Sequence, residues 1–164
     1  MITEHPMYLQ CLDIATKAHL GQPDKADAPY IHHPVTVSRF VEVHDHPFLK
    51  PLGEALTKEQ LLQACCVALL HDVVEDTPVT IDDLRDVHHV PLEICDAVLL
   101  LTKDKTMTDL WPYYRALKLN PLSRIVKLAD LIHNSDLSRL PAITPSDLER
   151  TEAYRNYIAY LRQD

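Results

Sequence analysis

Four ionisable side chains crowd into six residues at His71-Asp72-Val73-Val74-Glu75-Asp76, directly behind the apolar run Ala64–Leu70. Clustered like charges cost energy unless a cation neutralises them, so an apolar helix that ends this way points to a bound metal. Adjacent helical side chains diverge by about 100°, yet His71 and Asp72 can still approach one ion from its two sides. Glu75 follows His71 by four residues and Asp76 follows Asp72 by four. If the helix continues, both acids stand one turn further on; if Thr77-Pro78 breaks it early, they sit in a turn above the metal. The bland alternative is a solvated pair of charges at a helix end.

Two further segments carry matching chemistry. Lys127-Leu-Ala-Asp130-Leu-Ile-His133-Asn134 places Lys127, Asp130 and Asn134 on one helix face, with Asp130 inside an apolar stripe. Tyr30-Ile31-His32-His33-Pro34 brings a histidine pair to a helix start, where one ring faces solvent, and His33 is the favoured inward one. Together the segments offer two imidazoles and two carboxylates. That mixed set suits a borderline ion such as manganese, iron or zinc.

The elements that must position these groups are helical. The chain has 12 prolines and only 2 glycines, and no Asn-Gly or Asp-Gly hairpin turn. Helix starts are frequent: Pro34 as a first helical residue, the capping box Thr57-Lys-Glu-Gln60, Thr80 opening a short helix over 80–87, Pro91, Asn120-Pro121 and Thr144-Pro145. Leu9, Leu12, Ala15 and Ala18 predict a helix over 6–20. Pro112 must begin or end a helix rather than lie inside one. The expected fold is all-α: a single domain over 1–164, with seven or eight helices, no significant sheet, and an irregular loop over 44–57. The helix from Asn120 is expected to run to about 139 and the last one over 145–162. Tyr154, Tyr157 and Tyr160, at spacings of three, serve as core or as the face of a homodimer.

Composition limits the partners. With 16 Lys plus Arg against 24 Asp plus Glu, the formal net charge is −8. A nucleic-acid coat or a polybasic membrane binder is excluded, whereas a small anionic substrate held by a local basic cluster is not. The longest apolar run, Ala64–Leu70, is far short of the roughly 20 residues a membrane span requires. The opening MITEHPMYLQ lacks a basic region followed by an apolar stretch, so no export signal is expected. Cys11, Cys65, Cys66 and Cys95 show no CxxC spacing, which predicts reduced, buried thiols in a cytoplasm.

HDVVED with an upstream YIHHP and a downstream KLADLIHN resembles the HD superfamily of metal-dependent phosphohydrolases. More narrowly, it resembles the hydrolase domain of RelA/SpoT proteins and the small stand-alone alarmone hydrolases. The likeness runs from about Ala15 to Arg150. It implies that His33, His71, Asp72 and Asp130 ligate one metal, expected to be Mn²⁺. It implies that Glu75 and Asp76 activate and orient the attacking water and that Asn134 contacts substrate. Lys105 best matches a phosphate-contacting lysine, with Lys127 and Lys25 as further cations. The implied reaction is hydrolysis of a guanosine 3′-diphosphate ester to pyrophosphate and GDP or GTP. Nothing here corresponds to the synthetase half of the long proteins, and the HD-GYP signature is missing.

Two departures bear on substrate choice. Where the family usually has His-Arg-x-Gln, with the arginine holding the guanine base, this chain reads His19-Leu20-Gly21-Gln22. The stretch from His33 to His71 is also longer than usual, the extra residues falling in the 44–57 loop. A second reading therefore keeps the metal site and changes the phosphate ester, and a third is a nucleotide-sensing module without catalysis.

Overall fold

The computed structural model describes residues 1–164 as helices without a sheet. Seven helices run from 8 to 18 residues: α1 (Pro6–Ala18), α2 (His32–Val43), α4 (Lys58–Leu70), α6 (Leu92–Leu101), α7 (Trp111–Lys118), α8 (Pro121–Asn134) and α9 (Pro145–Arg162). Two short ones join them, α3 (Lys50–Glu54) and α5 (Val73–Asp76). The only extended pairing is an isolated bridge between Pro23 and Pro29.

The helix starts are those the cap residues dictate. Thr57 and Gln60 form a reciprocal capping box on α4, and Thr144 with Asp147 does the same on α9. Asn120 accepts from the Leu122 and Ser123 amides ahead of α8. Pro112 is the second residue of α7, where a missing N–H leaves nothing unpaired.

α4 is the centre of the fold. Ala64 through Leu70 are all buried, with α1, α2, α6 and α8 packed around them. Such a helix shows no polar stripe because every face is covered. α8 is the second buried helix, with Ile125, Val126, Leu128 and Ala129 fully enclosed. Burying each such leucine or isoleucine side chain contributes about 1.5–3 kcal/mol. All four cysteines are free and buried. No helix is long and apolar enough to cross a membrane.

Three expectations need correction. The 44–57 segment is not wholly irregular, since α3 forms within it. Gly53 on α3 is buried against His44, whose ring carbon Cγ lies 2.3 Å from where a Cβ would sit. His44 ends α2 with a φ of 36°, and this contact between distant turns carries no short-range sequence signal. α2 begins two residues before Pro34, so the proline sits inside the first turn, where its missing N–H still costs nothing. α8 stops at Asn134 rather than near 139. The Ser135 hydroxyl donates back to the Leu131 carbonyl, and Asp136 caps a separate turn over Leu137–Arg139.

Tyr157 of α9 stacks on Tyr114 of α7 with ring centroids 3.9 Å apart, and Trp111 meets Tyr157 and Tyr160 edge-on. These rings fill the groove between two helices of the same chain.

Candidate active site

Three elements bring the sequence motifs to one point. His33 enters from the first turn of α2, buried, while His32 beside it faces solvent. His71 and Asp72 lie in the break between α4 and α5, where the chain leaves the helix for two residues. Asp130 projects from the third turn of α8. His33 Nε2 is 3.0 Å from Asp130 Oδ1 and 3.6 Å from Asp72 Oδ2. His71 Nε2 is 3.1 Å from Asp72 Oδ2 and 3.5 Å from Asp130 Oδ1. Donor atoms of His33, His71 and Asp72 fall within 4.8 Å of one another.

The surroundings fix which nitrogen faces inward. His71 Nδ1 donates to the Ala68 carbonyl at 2.6 Å, which turns Nε2 to the cluster. That Nε2 is buried and has no hydrogen-bond partner of acceptable geometry. His33 Nδ1 lies 2.7 Å from His133 Nδ1, so one donates and the other accepts. Burial, the neighbouring His33 and Arg139 lower the His133 pKa to about 4. A neutral His133 can accept from His33 Nδ1–H, leaving the His33 Nε2 lone pair for a cation. An orphaned imidazole nitrogen, a second one held in a suitable tautomer and two carboxylates fit a divalent metal.

The charges are strongly biased. Burial alone would neutralise Asp130, yet Lys127 and the two histidines hold its carboxyl well below the usual range. Lys127 is 8% exposed, donates to Asp130 Oδ2 at 2.8 Å, and has its own pKa raised by that carboxylate despite burial. Burial opposes ionisation of Asp72 as well, but His71 keeps it lowered. The His71 imidazole is raised despite burial, because Asp72 and Asp130 face it. Tyr30 donates to Asp72 Oδ2 at 2.5 Å, and burial beside that carboxylate pushes its phenol upward.

Glu75 and Asp76 stand on the single turn α5, on the solvent side of the cluster. Helix α4 does not run on to carry them; the early break does. Glu75 Oε1 accepts from the Lys103 amide at 2.7 Å. Asp76 Oδ1 is 3.6 Å from Lys105 Nζ, an exposed side chain. A cavity of about 200 Å³ opens here, walled by His71, Asp72, Glu75, Asp76, Lys103 and Lys127 among others.

A second cavity of about 430 Å³ adjoins it, sharing Tyr30, Asn134 and Tyr154 as common wall. Asn134 donates to Asp130 Oδ1 at 2.8 Å. Lys25 lies at this cavity, 3.4 Å from Asp147, which Arg150 also meets. The structure thus gathers His33, His71, Asp72, Asp130, Glu75, Asp76, Asn134 and Lys127 around one point and puts Lys25 and Lys105 at the periphery. Sequence reasoning missed Arg139, Arg150 and Tyr154 as cavity residues, and Lys103 rather than Lys105 as the lysine lining the inner cavity. Only Tyr30 was within reach, since it opens the YIHHP motif.

The HD-domain family profile matches residues 30–135. A human protein named guanosine-3′,5′-bis(diphosphate) 3′-pyrophosphohydrolase MESH1 is 34% identical over 146 residues, covering 85% of this chain and 74% of that protein. The Borreliella burgdorferi guanosine-3′,5′-bis(diphosphate) 3′-pyrophosphohydrolase is 33% identical over 153 residues, covering 84% of this chain and 20% of the longer protein. A solved structure described as a metazoan ortholog of SpoT that hydrolyzes ppGpp superimposes with a TM-score of 0.70 at 24% identity, over 97% of this chain and 86% of that one. This last likeness establishes the fold.

Proposed function

The chain belongs to the HD-domain family, and on that premise we propose that it hydrolyses guanosine 3′,5′-bis(diphosphate) to pyrophosphate and GDP, or the 5′-triphosphate form to GTP. The observation that carries this reading is the convergence of two histidines and two carboxylates, with an orphaned His71 Nε2 among them and an acidic pair one turn away. Chains named for this activity share about a third of their residues with this one over most of its length.

In this reading His33, His71, Asp72 and Asp130 hold a divalent metal; their mixed nitrogen and oxygen donors suit manganese, iron or zinc, and the family resemblance favours Mn²⁺ among these. Bound there, such an ion supplies Lewis acidity to a phosphoryl oxygen and lowers the pKa of water. Glu75, anchored through one oxygen by the Lys103 amide, takes the proton from the attacking water, and Asp76 orients it. Water oxygen forms the new bond to the 3′-linked phosphorus. The bond from that phosphorus to the ribose 3′-oxygen breaks, and the 3′-oxygen leaves with a proton. Asn134 positions the substrate beside Asp130. Lys127 keeps Asp130 ionised, and Lys105 and Lys25 offset phosphate charge from the rim.

All of these residues come from one chain, which we treat as a single domain over 1–164, so the chemistry does not require a homodimer. The four unpaired thiols support a cytoplasmic setting. A second reading, hydrolysis of a different phosphate ester at the same metal, is favoured by one observation: Leu20 is 84% exposed and touches neither cavity.

The test is anion-exchange product analysis with ppGpp, with and without Mn²⁺. Metal-dependent release of GDP and pyrophosphate is the expected result. Glu75→Ala and Asp76→Ala should each lower turnover by about 10²–10⁴-fold while retaining bound metal. Unchanged turnover in both variants overturns the mechanism, and intact ppGpp with metal bound transfers the weight to the second reading.

A further inference from the structure

The larger cavity holds three cations, and two of them already have a carboxylate partner. Lys25 and Arg150 both pair with Asp147, which also accepts from the Thr144 amide and hydroxyl. Arg139 has no carboxylate partner. Its Nη2 reaches only Asn134 Oδ1, at a long 3.5 Å, and its Nε is buried with no hydrogen-bond partner at all. A buried guanidinium nitrogen left unpaired is costly, and a ligand that accepts from it removes that cost.

The neighbours of Arg139 say what that ligand is. Asp24 and Asp136 line the same cavity. Each uses Oδ1 to hold its own turn: Asp24 accepts from the Ala26 and Ala28 amides, and Asp136 from the Ser138 amide and hydroxyl. Their Oδ2 atoms carry no hydrogen bond within the protein. The two free carboxylate oxygens beside Arg139 disfavour a phosphate at this end of the cavity, where no metal site stands to offset them. A guanine base instead presents acceptors at O6 and N7, which a guanidinium meets with two parallel bonds, and donors at N1 and N2, which a carboxylate accepts. Adenine puts a donor where guanine has O6.

Resting on the hydrolase reading above, we propose that Arg139 is the specificity-determining residue for the base, binding the O6/N7 edge of guanine, with the free carboxylate oxygens of Asp24 and Asp136 serving its N–H edge. Arg139 reaches Asn134, and Asn134 reaches Asp130, so the base end is tied to the metal end through two side-chain contacts. The guanidinium lies in the turn Leu137–Arg139, far in sequence from Leu20.

The experiment compares guanosine and adenosine 3′,5′-bis(diphosphates) as substrates for the wild type, Arg139→Ala and Arg139→Lys. A bidentate arginine–guanine contact discriminates by roughly 10- to 100-fold. The guanosine-over-adenosine ratio of kcat/KM should fall by that factor in Arg139→Ala, mostly through KM for the guanosine substrate. Arg139→Lys, which keeps the charge and loses the fork, should recover little of it. Calorimetric binding of GDP and ADP to the same proteins reads the same preference without turnover, so it stands even if neither substrate is cleaved. Loss of the guanine preference in both measurements on a variant that melts like the wild type upholds the assignment. A preference that survives Arg139→Ala, an equal loss for both bases, or a wild type that shows none, overturns it.

Discussion

Replacing Lys127 with methionine tests the electrostatic account of the metal centre without touching a proposed ligand. Methionine keeps most of the buried stem and deletes only the ammonium, so packing changes little. Lys127 Nζ lies 2.8 Å from Asp130 Oδ2, and both side chains are nearly inaccessible to water. Removing one partner of a buried pair leaves an uncompensated charge and costs about 3–5 kcal/mol. For a domain of this size, where 1 kcal/mol moves the midpoint by about 2–4 °C, the melting temperature should fall by roughly 6–20 °C. The assay is thermal and urea unfolding of wild type, Lys127→Met, Asp130→Asn and the double variant, all with chelator present. The double variant should be markedly more stable than the sum of the single losses requires, because neither charge is then stranded. Loss in Lys127→Met below about 1 kcal/mol, or strict additivity in the cycle, would refute the claim that this pair is buried and coupled.

Tyr30→Phe removes the phenol that donates to Asp72 and should weaken Mn²⁺ binding by about 10–100-fold in a competition titration, with most activity restored at saturating metal. Gly53→Ala drives a methyl into the His44 ring and should destabilise by about 1–3 kcal/mol, read by urea unfolding. The Asp147 carboxyl is held well below the usual range, first by the Thr144 amide and hydroxyl and then by Lys25 and Arg150. A depressed acid stabilises the fold above its unfolded pKa of about 3.9. The stability lost in Asp147→Asn should therefore be full at pH 7 and shrink as the pH falls below 4. A penalty that is the same at pH 7 and pH 3 would contradict the assigned hydrogen bonds.

The parts of the site that the sequence made legible are those written within short stretches of chain. HDVVED, YIHHP and KLADLIHN each keep their functional residues within a few positions, so local geometry constrains them wherever the helices end. The fold class was legible for the same reason, since proline and capping residues mark helix starts directly. What escaped notice depends on contacts between distant segments. Arg139 and Arg150 become cavity residues only because the turn after α8 and the start of α9 fold back over Tyr30. Lys103 contributes through a backbone amide, which has no signature in residue type. α3 exists because Gly53 lets His44 close against it.

The proposed metal ligands are widely separated along the chain: His33 and Asp130 are 97 residues apart. An ion held by both, and by the break after α4, is a cross-link that closes a long loop, comparable in effect to a removable covalent staple. Binding of the native state alone then adds stability in proportion to free metal, about 2.7 kcal/mol at one hundred times the dissociation constant. Metal supply would set not only how fast each molecule turns over but how many folded molecules survive, so scarcity would thin the population as well as idle it.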